Sequence, residues 1–517
     1  MFFRNRFPPS RHEARPARIP PETAAHREIA ADIADNLQWL SKAINSPDDL
    51  VVHSFAMDGP VAALVYLDSL ADGNLLGSHV SRPINQFLRE NGGGLDPQNA
   101  ALLLAAANVS VYHDLSAVME SVLTGRAVLF IQKQRIALGV SFPGFPRRAI
   151  EEPSTEKVTR GSREGFTDVL KDNLGMIRRW LKDPHLIVKE MRIGARTKTA
   201  VNLLYLQDIA NPDVVAELIK RLEQIQIDAI LDSGYLSELI ADQKLTFFPL
   251  VQDTERPDKV AAALLEGRVA LLVDKSPFAL IVPVTSTEFY QTPADFGYNY
   301  WVGTFLRCIR GLGTFIAVTL PGLYLALISI NPELLPPGLV GVISSARVQV
   351  PFPAVFEVFL TLVVFEIFRE AIIRVPGNIN LILGIAGGSL IGFCGIESAL
   401  VSAVTVMVIV LTSLASFSTA NTGKEQAWRL ARYFIFFAAA SFGVLGFILA
   451  GLTVLTHMNS LKSFGVSYLE PWAPPQPLEM VDSYFRIPWW ARFRRPHSYR
   501  PKQEDKLDAE PQPEKEK

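Results

Sequence analysis

The chain of 517 residues contains only two cysteines, Cys308 and Cys394. Both fall in its apolar second half, which excludes a disulfide framework and leads us to expect free, buried thiols. An excess of charge of either sign is also missing, since 50 Lys and Arg face 52 Asp and Glu for a net charge of -2. Nucleic-acid binders concentrate positive charge, so no nucleic-acid partner is expected. There is no Walker phosphate loop, dinucleotide Gly-rich fingerprint, His-Glu-x-x-His zinc site or Gly-x-Ser-x-Gly elbow. The eight histidines (12, 26, 53, 79, 113, 185, 457 and 497) include no pair three or four residues apart that could hold a metal on one helix face. These absences point away from an enzyme, with no catalytic residues, no cofactor and no metal.

The start, Met1 to Pro20, is rich in Arg and Pro and has no apolar stretch of signal-peptide length, so the polar half is expected to stay in the cytoplasm. Asn108-Val-Ser110 fits the glycosylation pattern but would be silent there.

What the chain does have is an abrupt change of solvent near Thr304. About 300 mixed residues give way to apolar runs such as Gly311 to Ile330 and Phe434 to Leu455, each long enough for a hydrocarbon core about 30 Å thick. The expected fold is a membrane protein: two related α/β cytoplasmic subdomains followed by an α-helical transmembrane domain of four to five spans. Boundaries are placed at 1–45 (N-terminal extension), 46–150 (first subdomain), 151–300 (charged linker and second subdomain), 301–460 (helical domain) and 461–517 (tail, disordered after about 500).

The two subdomains follow from an internal repeat. Leu123-Thr-Gly125-Arg126 and Leu265-Glu-Gly267-Arg268 each open a segment of two apolar runs around a short polar break, which reads as two buried strands and a tight turn. Tyr66 to Asp72 and Tyr205 to Asn211 form a second match in the same order. After the latter, Asn211 reads as an N-cap, Pro212 as the first helical residue, and Val215, Leu218, Leu222 and Ile225 as a helix face packed on the sheet.

Charge is dense between and beside the repeats, at Arg147, Arg148, Glu151, Glu152 and Glu156, at Arg160, Arg163 and Glu164, at Arg178 and Arg179, and at Glu255, Arg256 and Asp258. A catalytic cluster and a network of ion pairs that fixes domains or subunits both fit; we favour the network, with Pro257 and Asp258 starting a helix.

In the apolar half, Arg307 and Arg310 before the first run put its start on the cytoplasmic side, as do Lys424, Arg429 and Arg432 for their loop. The run Phe352 to Val375 carries Glu357, Glu366, Arg369, Glu370 and Arg374. Ionisable groups at membrane depth face a bundle interior or a water-filled path by default. An interfacial position, with Glu366 paired to Arg369, is the competing reading for the arginine end. Asn378 to Gly395 is a short glycine-rich span or a re-entrant segment. Glu397, Ser398, Ser402, Thr405, Thr412, Ser413 and Ser416 then form a hydroxyl stripe that suits either a pore or helix packing. Candidate ion-path residues are therefore Glu357, Glu366, Glu397, Ser398, Ser402 and Thr405. Five crossing segments would leave the tail outside, yet Arg486, Arg492, Arg494 and Arg495 favour the cytoplasm, so one segment, the second or third, is expected not to cross. Trp472, Trp489 and Trp490 suit a tail near the interface.

These residues resemble the A-subunit family of bacterial spore germinant receptors, the GerA family. The likeness is carried by Arg148-x-x-Glu151-Glu152-Pro153-x-x-Glu156, Arg160-Gly161-x-Arg163-Glu164-Gly165-Phe166, Thr254-Glu255-Arg256-Pro257-Asp258, Leu265-x-Gly267-Arg268, Pro351-Phe352-Pro353, Arg369-Glu370-Ala371-x-x-Arg374-x-Pro376 and Ser463-Phe464-Gly465, spread over about 50 to 496. The resemblance implies a multi-pass protein of the spore inner membrane that forms a homo-oligomer, assembles with germinant receptor B and C subunits, contacts membrane lipid, and forms an ion channel coupling germinant binding on its partners to ion release. A related A-type subunit working with the dipicolinate-release machinery, or a non-conducting scaffold, are the alternatives. The first 25 residues and those after 500 match no family motif.

Overall fold

A computed structural model of the chain describes residues 27–506 except 57–58, 92–93, 105–107, 145–151, 159, 375–386, 390–391 and 394. Two five-stranded antiparallel sheets carry its first part. Strands β1 (Leu50–Ala56), β2 (Pro60–Leu67), β3 (Ser110–Tyr112), β4 (Ala127–Ile131) and β5 (Ala137–Val140) lie in the order β1-β2-β4-β5-β3. Strands β6 (Leu186–Ile193), β7 (Thr199–Leu206), β8 (Gln252–Thr254), β9 (Val269–Val273) and β10 (Ala279–Val282) repeat that order as β6-β7-β9-β10-β8. The central strands β4 and β9 are buried along their whole length because helices cover both faces of each sheet. Alternate side chains feed two cores: Val128 and Phe130 point to one, Ala127, Leu129 and Ile131 to the other.

The repeat extends to backbone detail. Gly125 and Gly267 take φ of 92° and 90°, and Lys133 and Lys275 in the turns take 64° and 65°. Glycine meets its requirement twice over, since a Cβ on Gly125 would sit 3.2 Å from Leu70 and one on Gly267 3.3 Å from Ile209, the matched residue of the other copy. Asn211 caps the helix Pro212–Glu223 by accepting from the Asp213 amide at 2.9 Å. That helix packs on the sheet through Val215, Leu218 and Leu222, while Ile225 lies beyond its end. The first unit begins earlier than the expected boundary at 46: helix Ile33–Ala43 buries Ile33 and Leu40 in the first core, as Leu170–Trp180 does in the second.

The units are joined at a buried ion pair. Arg178 on Leu170–Trp180 donates to both Asp49 oxygens, at 3.2 and 2.7 Å, and Ser69 donates to Asp49 at 2.7 Å. Backbone joins them too, with the Asp48 amide donating to Val188 O at 3.1 Å.

The remaining chain forms a helical bundle beneath the second subdomain. Two of its helices, Tyr300–Ser329 and Thr422–Ser460, are long and apolar enough to cross a membrane. Thr314 lies 3.2 Å from Thr419 near the subdomain and Tyr324 lies 3.2 Å from Thr405 further down, so the first helix runs away from the subdomain and Ala403–Ser416 runs back. Ala354–Arg374 also runs back, from Glu357 beside Ser402 to Arg369 beside Ser416. Its end and Ser402 are therefore at opposite ends of the bundle. Beyond the first long helix, Pro337 starts an exposed helix, Pro337–Arg347. Cys308, expected to be buried, is exposed, and Cys394 lies outside the described residues.

The last apolar run is not one straight segment. Within Thr422–Ser460, Gly443 has φ 63° and ψ -142°, a conformation no helix contains. Ala427 and Ala431 share a cluster with Val454 and Met458, and Ile435 and Ala438 share one with Ala450 and Phe447. Partners converge on Gly443 from both sides, as in two antiparallel arms, each about 25–30 Å long at 1.5 Å per residue. The turn rests on the end of the first helix, where Asn331 Oδ1 accepts from the Val444 amide at 3.0 Å. A doubling-back inside the last run returns the tail to the subdomain side, while most of the segment Asn378 to Gly395, one of the two expected not to cross, lies outside the described residues.

The tail confirms that return by contact. The Ser463–Ser467 hairpin docks on the second subdomain, where Ser463 Oγ donates to Leu250 O at 2.8 Å and accepts from the Val284 amide at 3.1 Å. Arg495 donates to Leu265 O and the Lys502 amide to Ile209 O, both at 2.8 Å, and Lys506 N reaches Phe493 O at 2.7 Å. Contacts thus continue to residue 506; residues 507–517, the rest of the stretch expected to be disordered, lie outside the described residues.

Candidate functional site

Three side-chain sets hold the linker, the subdomain and the bundle in place. The first is the charge cluster of the linker, built around Arg256, which is fully buried as the N-cap of helix Pro257–Leu265. Its guanidinium donates to Asp258 at 3.0 and 2.7 Å, to Ser162 O at 3.0 Å and to Glu156 O at 3.3 Å. Glu255 accepts from Ser154 Oγ at 2.9 Å and the Thr155 amide at 3.1 Å, and Lys259 pairs with Glu156 at 2.6 Å. Glu255, Arg256 and Asp258 thus hold the linker down. Glu164 pairs instead with Arg179 at 3.5 Å. Glu152, Arg160 and Arg163 are exposed, and Arg148 and Glu151 lie outside the described residues.

The second set roots the bundle. Lys424, at the base of the hairpin, is fully buried and donates to Ser286 Oγ at 2.9 Å and Tyr468 Oη at 2.7 Å. Four rings enclose it, Phe248, Phe289, Trp428 and Tyr468, with centroids 4.5 to 5.6 Å from Nζ. Ring faces thus surround the Lys424 amine in place of a carboxylate. Burial pushes the Tyr468 phenol well above its ordinary value, so it remains a neutral partner. Nearby, buried Asp295 takes Arg307 at 3.3 Å and also Arg310, while completing a capping box with Thr292. Both arginines that sequence placed at the membrane edge are thereby locked to the second subdomain. The sequence reading missed Asp295; its capping-box spacing, Thr292-x-x-Asp295, was the available signal.

The third set lies among the helices. Glu357 is fully buried, bonded to Arg347 at 3.1 Å and to the Ser402 amide at 2.7 Å. Ser402 donates to Thr405 at 3.0 Å, which meets Tyr324. These three candidates therefore come together, but inside the chain's own packing. Glu366, two and a half turns on, lies about 14 Å away along the helix. It pairs with Arg429 and Arg432 of the hairpin, not with Arg369, which pairs with Glu425 and donates to Ser416 at 3.2 Å. Glu397, Ser398 and Glu370 are exposed, and the side chain of Arg374 lies outside the described residues. The hydroxyl stripe at Thr405, Thr412 and Ser416 is buried and serves helix packing within the chain. Among the described residues no cluster of metal-capable side chains occurs.

Set beside known proteins, residues 38–498 match the family described as Bacillus/Clostridium GerA spore germination protein. The chain is 36% identical over 492 residues to spore germination protein KA of Bacillus subtilis, covering 94% of this chain and 90% of that protein. It is 35% identical to spore germination protein B1 of the same organism, covering 91% and 97%. Among solved structures, the N-terminal domain of the A subunit of the Bacillus megaterium spore germinant receptor GerK3 is 33% identical, covers 50% of this chain and 97% of its own, and gives a TM-score of 0.39. The chain belongs to the GerA family of spore germination proteins.

Proposed function

We propose that this GerA-family member is the A subunit of a spore nutrient germinant receptor, held in the spore inner membrane by its helical bundle, with both subdomains and the tail on the cytoplasmic face. The germination role rests on family membership. The membrane placement is supported by the bundle surface, where Phe305, Leu312, Phe315, Leu414, Phe437, Leu445, Leu449 and Leu452 are exposed on helices that water would not tolerate bare. Sidedness is supported by Arg307, Arg310 and Lys424 at the subdomain end. Homo-oligomers with B and C subunits complete the receptor, and exposed Glu152, Arg160 and Arg163 offer polar surface for such contacts.

The observation that carries ion conduction is Glu366, an acid at bundle depth held by Arg429 and Arg432. In this arrangement two cations cancel the acid, which suits a closed path; separation of the hairpin from Ala354–Arg374 would free the carboxylate for a passing cation. Because the hairpin is rooted in the second subdomain through Lys424, a change there reaches Glu366 through one rigid arm. The test is single-channel current in planar bilayers from the chain alone and with its B and C partners, wild type against Glu366→Gln. An altered cation current is expected. Silence from every intact oligomer would refute conduction through this chain.

The burial of Ser402 and Thr405 among the chain's own helices favours a second reading, a non-conducting scaffold. It expects Glu366→Gln to leave germination unchanged while disruption of the Arg256 network lowers partner levels.

A further inference from the structure

We propose that residues 481–493 of the tail are a second membrane-contacting element, lying in the interfacial layer of the bilayer beside the start of the Tyr300–Ser329 helix; this rests on the membrane placement argued above. The segment is amphipathic in the inverse sense. Phe485, Trp489, Trp490 and Phe493 are 58%, 60%, 75% and 50% exposed, while Arg486 is 5% exposed. The arginines point inward: Arg486 donates to Tyr298 O at 2.6 Å and Phe296 O at 3.3 Å, and Arg492 pairs with Glu266 at 2.8 Å. A segment facing water would bury its rings and extend its guanidinium groups, so an apolar layer must cover this face.

Continuity identifies that layer. Trp301, Val302 and Phe305 are also exposed at the start of the first apolar helix, and the tail is packed against it, with Tyr484 Cε1 2.9 Å from where a Cβ on Gly311 would stand. Phe296 and Trp489 rings at 5.6 Å complete the join. The rings of the tail thus extend the lipid-facing surface of the bundle sideways at its subdomain end, the level at which tryptophan settles in a bilayer. The buried arginines fix the strap to the protein, so its depth is set by the bundle.

The test uses the full chain with Cys308→Ser and Cys394→Ser, reconstituted in phosphatidylethanolamine and phosphatidylglycerol vesicles, with a nitroxide on Trp490→Cys or, should that variant misfold, on Phe485→Cys. Collision with lipid-dissolved oxygen is compared with collision with an aqueous nickel chelate. Labels on Leu452→Cys, outward on the second hairpin arm, and Arg192→Cys, exposed on β6, give the lipid and water references. We expect position 490 to favour oxygen several-fold over the Arg192 reference. If position 490 matches that water reference while position 452 favours oxygen, the strap proposal fails and the membrane placement stands. Protection of position 490 from both reagents would also overturn it, by assigning the face to a partner protein. If position 452 itself reads as water, the membrane placement fails.

Discussion

Substitution of Gly443 by alanine tests the hairpin directly. At φ 63° and ψ -142° the residue occupies backbone space closed to side chains, at a strain of about 1–3 kcal/mol. An added Cβ would stand 2.8 Å from Ile330 Cγ2 and 3.0 Å from Ile330 Cβ, within the turn held by Asn331, an overpacking worth about 1–3 kcal/mol. Together Gly443→Ala should destabilise the bundle by about 2–6 kcal/mol. Gly451 is the matched control: it lies on the second arm in helical conformation, with nothing within 4 Å of an added Cβ. Gly451→Ala should be neutral or stabilising by up to about 1 kcal/mol. The assay is the fraction of purified protein remaining monodisperse in detergent after a temperature ramp, read by size-exclusion chromatography. A straight helix through residue 443 would gain from both substitutions, so equal behaviour of the two variants would refute the reversal.

Further predictions concern the subdomains. Arg178→Met leaves Asp49 buried beside Ser69 alone and should cost about 3–5 kcal/mol in urea unfolding, whereas adding Asp49→Leu should recover most of that loss; a double variant as unstable as the single would contradict the pairing. Arg256→Lys cannot span Asp258, Glu156 O and Ser162 O together, so about 1.5–3 kcal/mol should be lost and limited proteolysis should shift to residues 152–165, with an unchanged digest counting against the linker role. The hydrogen bond that His185 Nδ1 donates to the Asp183 carboxylate at 2.9 Å raises the His185 pKa above its ordinary 6.5, against burial, which lowers it. The stabilisation this pair gives is complete below pH 6.5 and is lost as pH rises through the raised folded value. Wild type should therefore melt above His185→Gln near pH 6 by a modest margin, since both groups are partly exposed, and the margin should close at higher pH; a margin that widened would reverse the sign.

Much of this was legible in one dimension. The Leu-x-Gly-Arg repeat announced two equal sheets, because β-strand burial depends on short apolar runs and the turns need particular backbone angles at fixed offsets. Pro257 as a helix start and Asn211 as a cap were readable for the same local reason. Partners of charge were not: Glu366 was matched to Arg369 by spacing, but both reach across to the hairpin, to Arg429 and Arg432 and to Glu425. Helical spacing shows which groups can meet, and burial against another helix decides which do. Lys424 was visible only as a basic loop residue, because its four aromatic neighbours come from positions 248 to 468.

Family, duplicated α/β units and apolar half were all readable along the chain, since each depends on composition and on patterns within a few residues. Packing in three dimensions was needed to reveal that the last apolar run folds back at Gly443, that the tail returns to the second subdomain, and that Arg486 and Arg492 point inward while Trp489 and Trp490 point out. A hydropathy run has no sense of direction, and a glycine in a helix looks the same whether it packs or turns; contact between residues far apart in the chain supplies the direction.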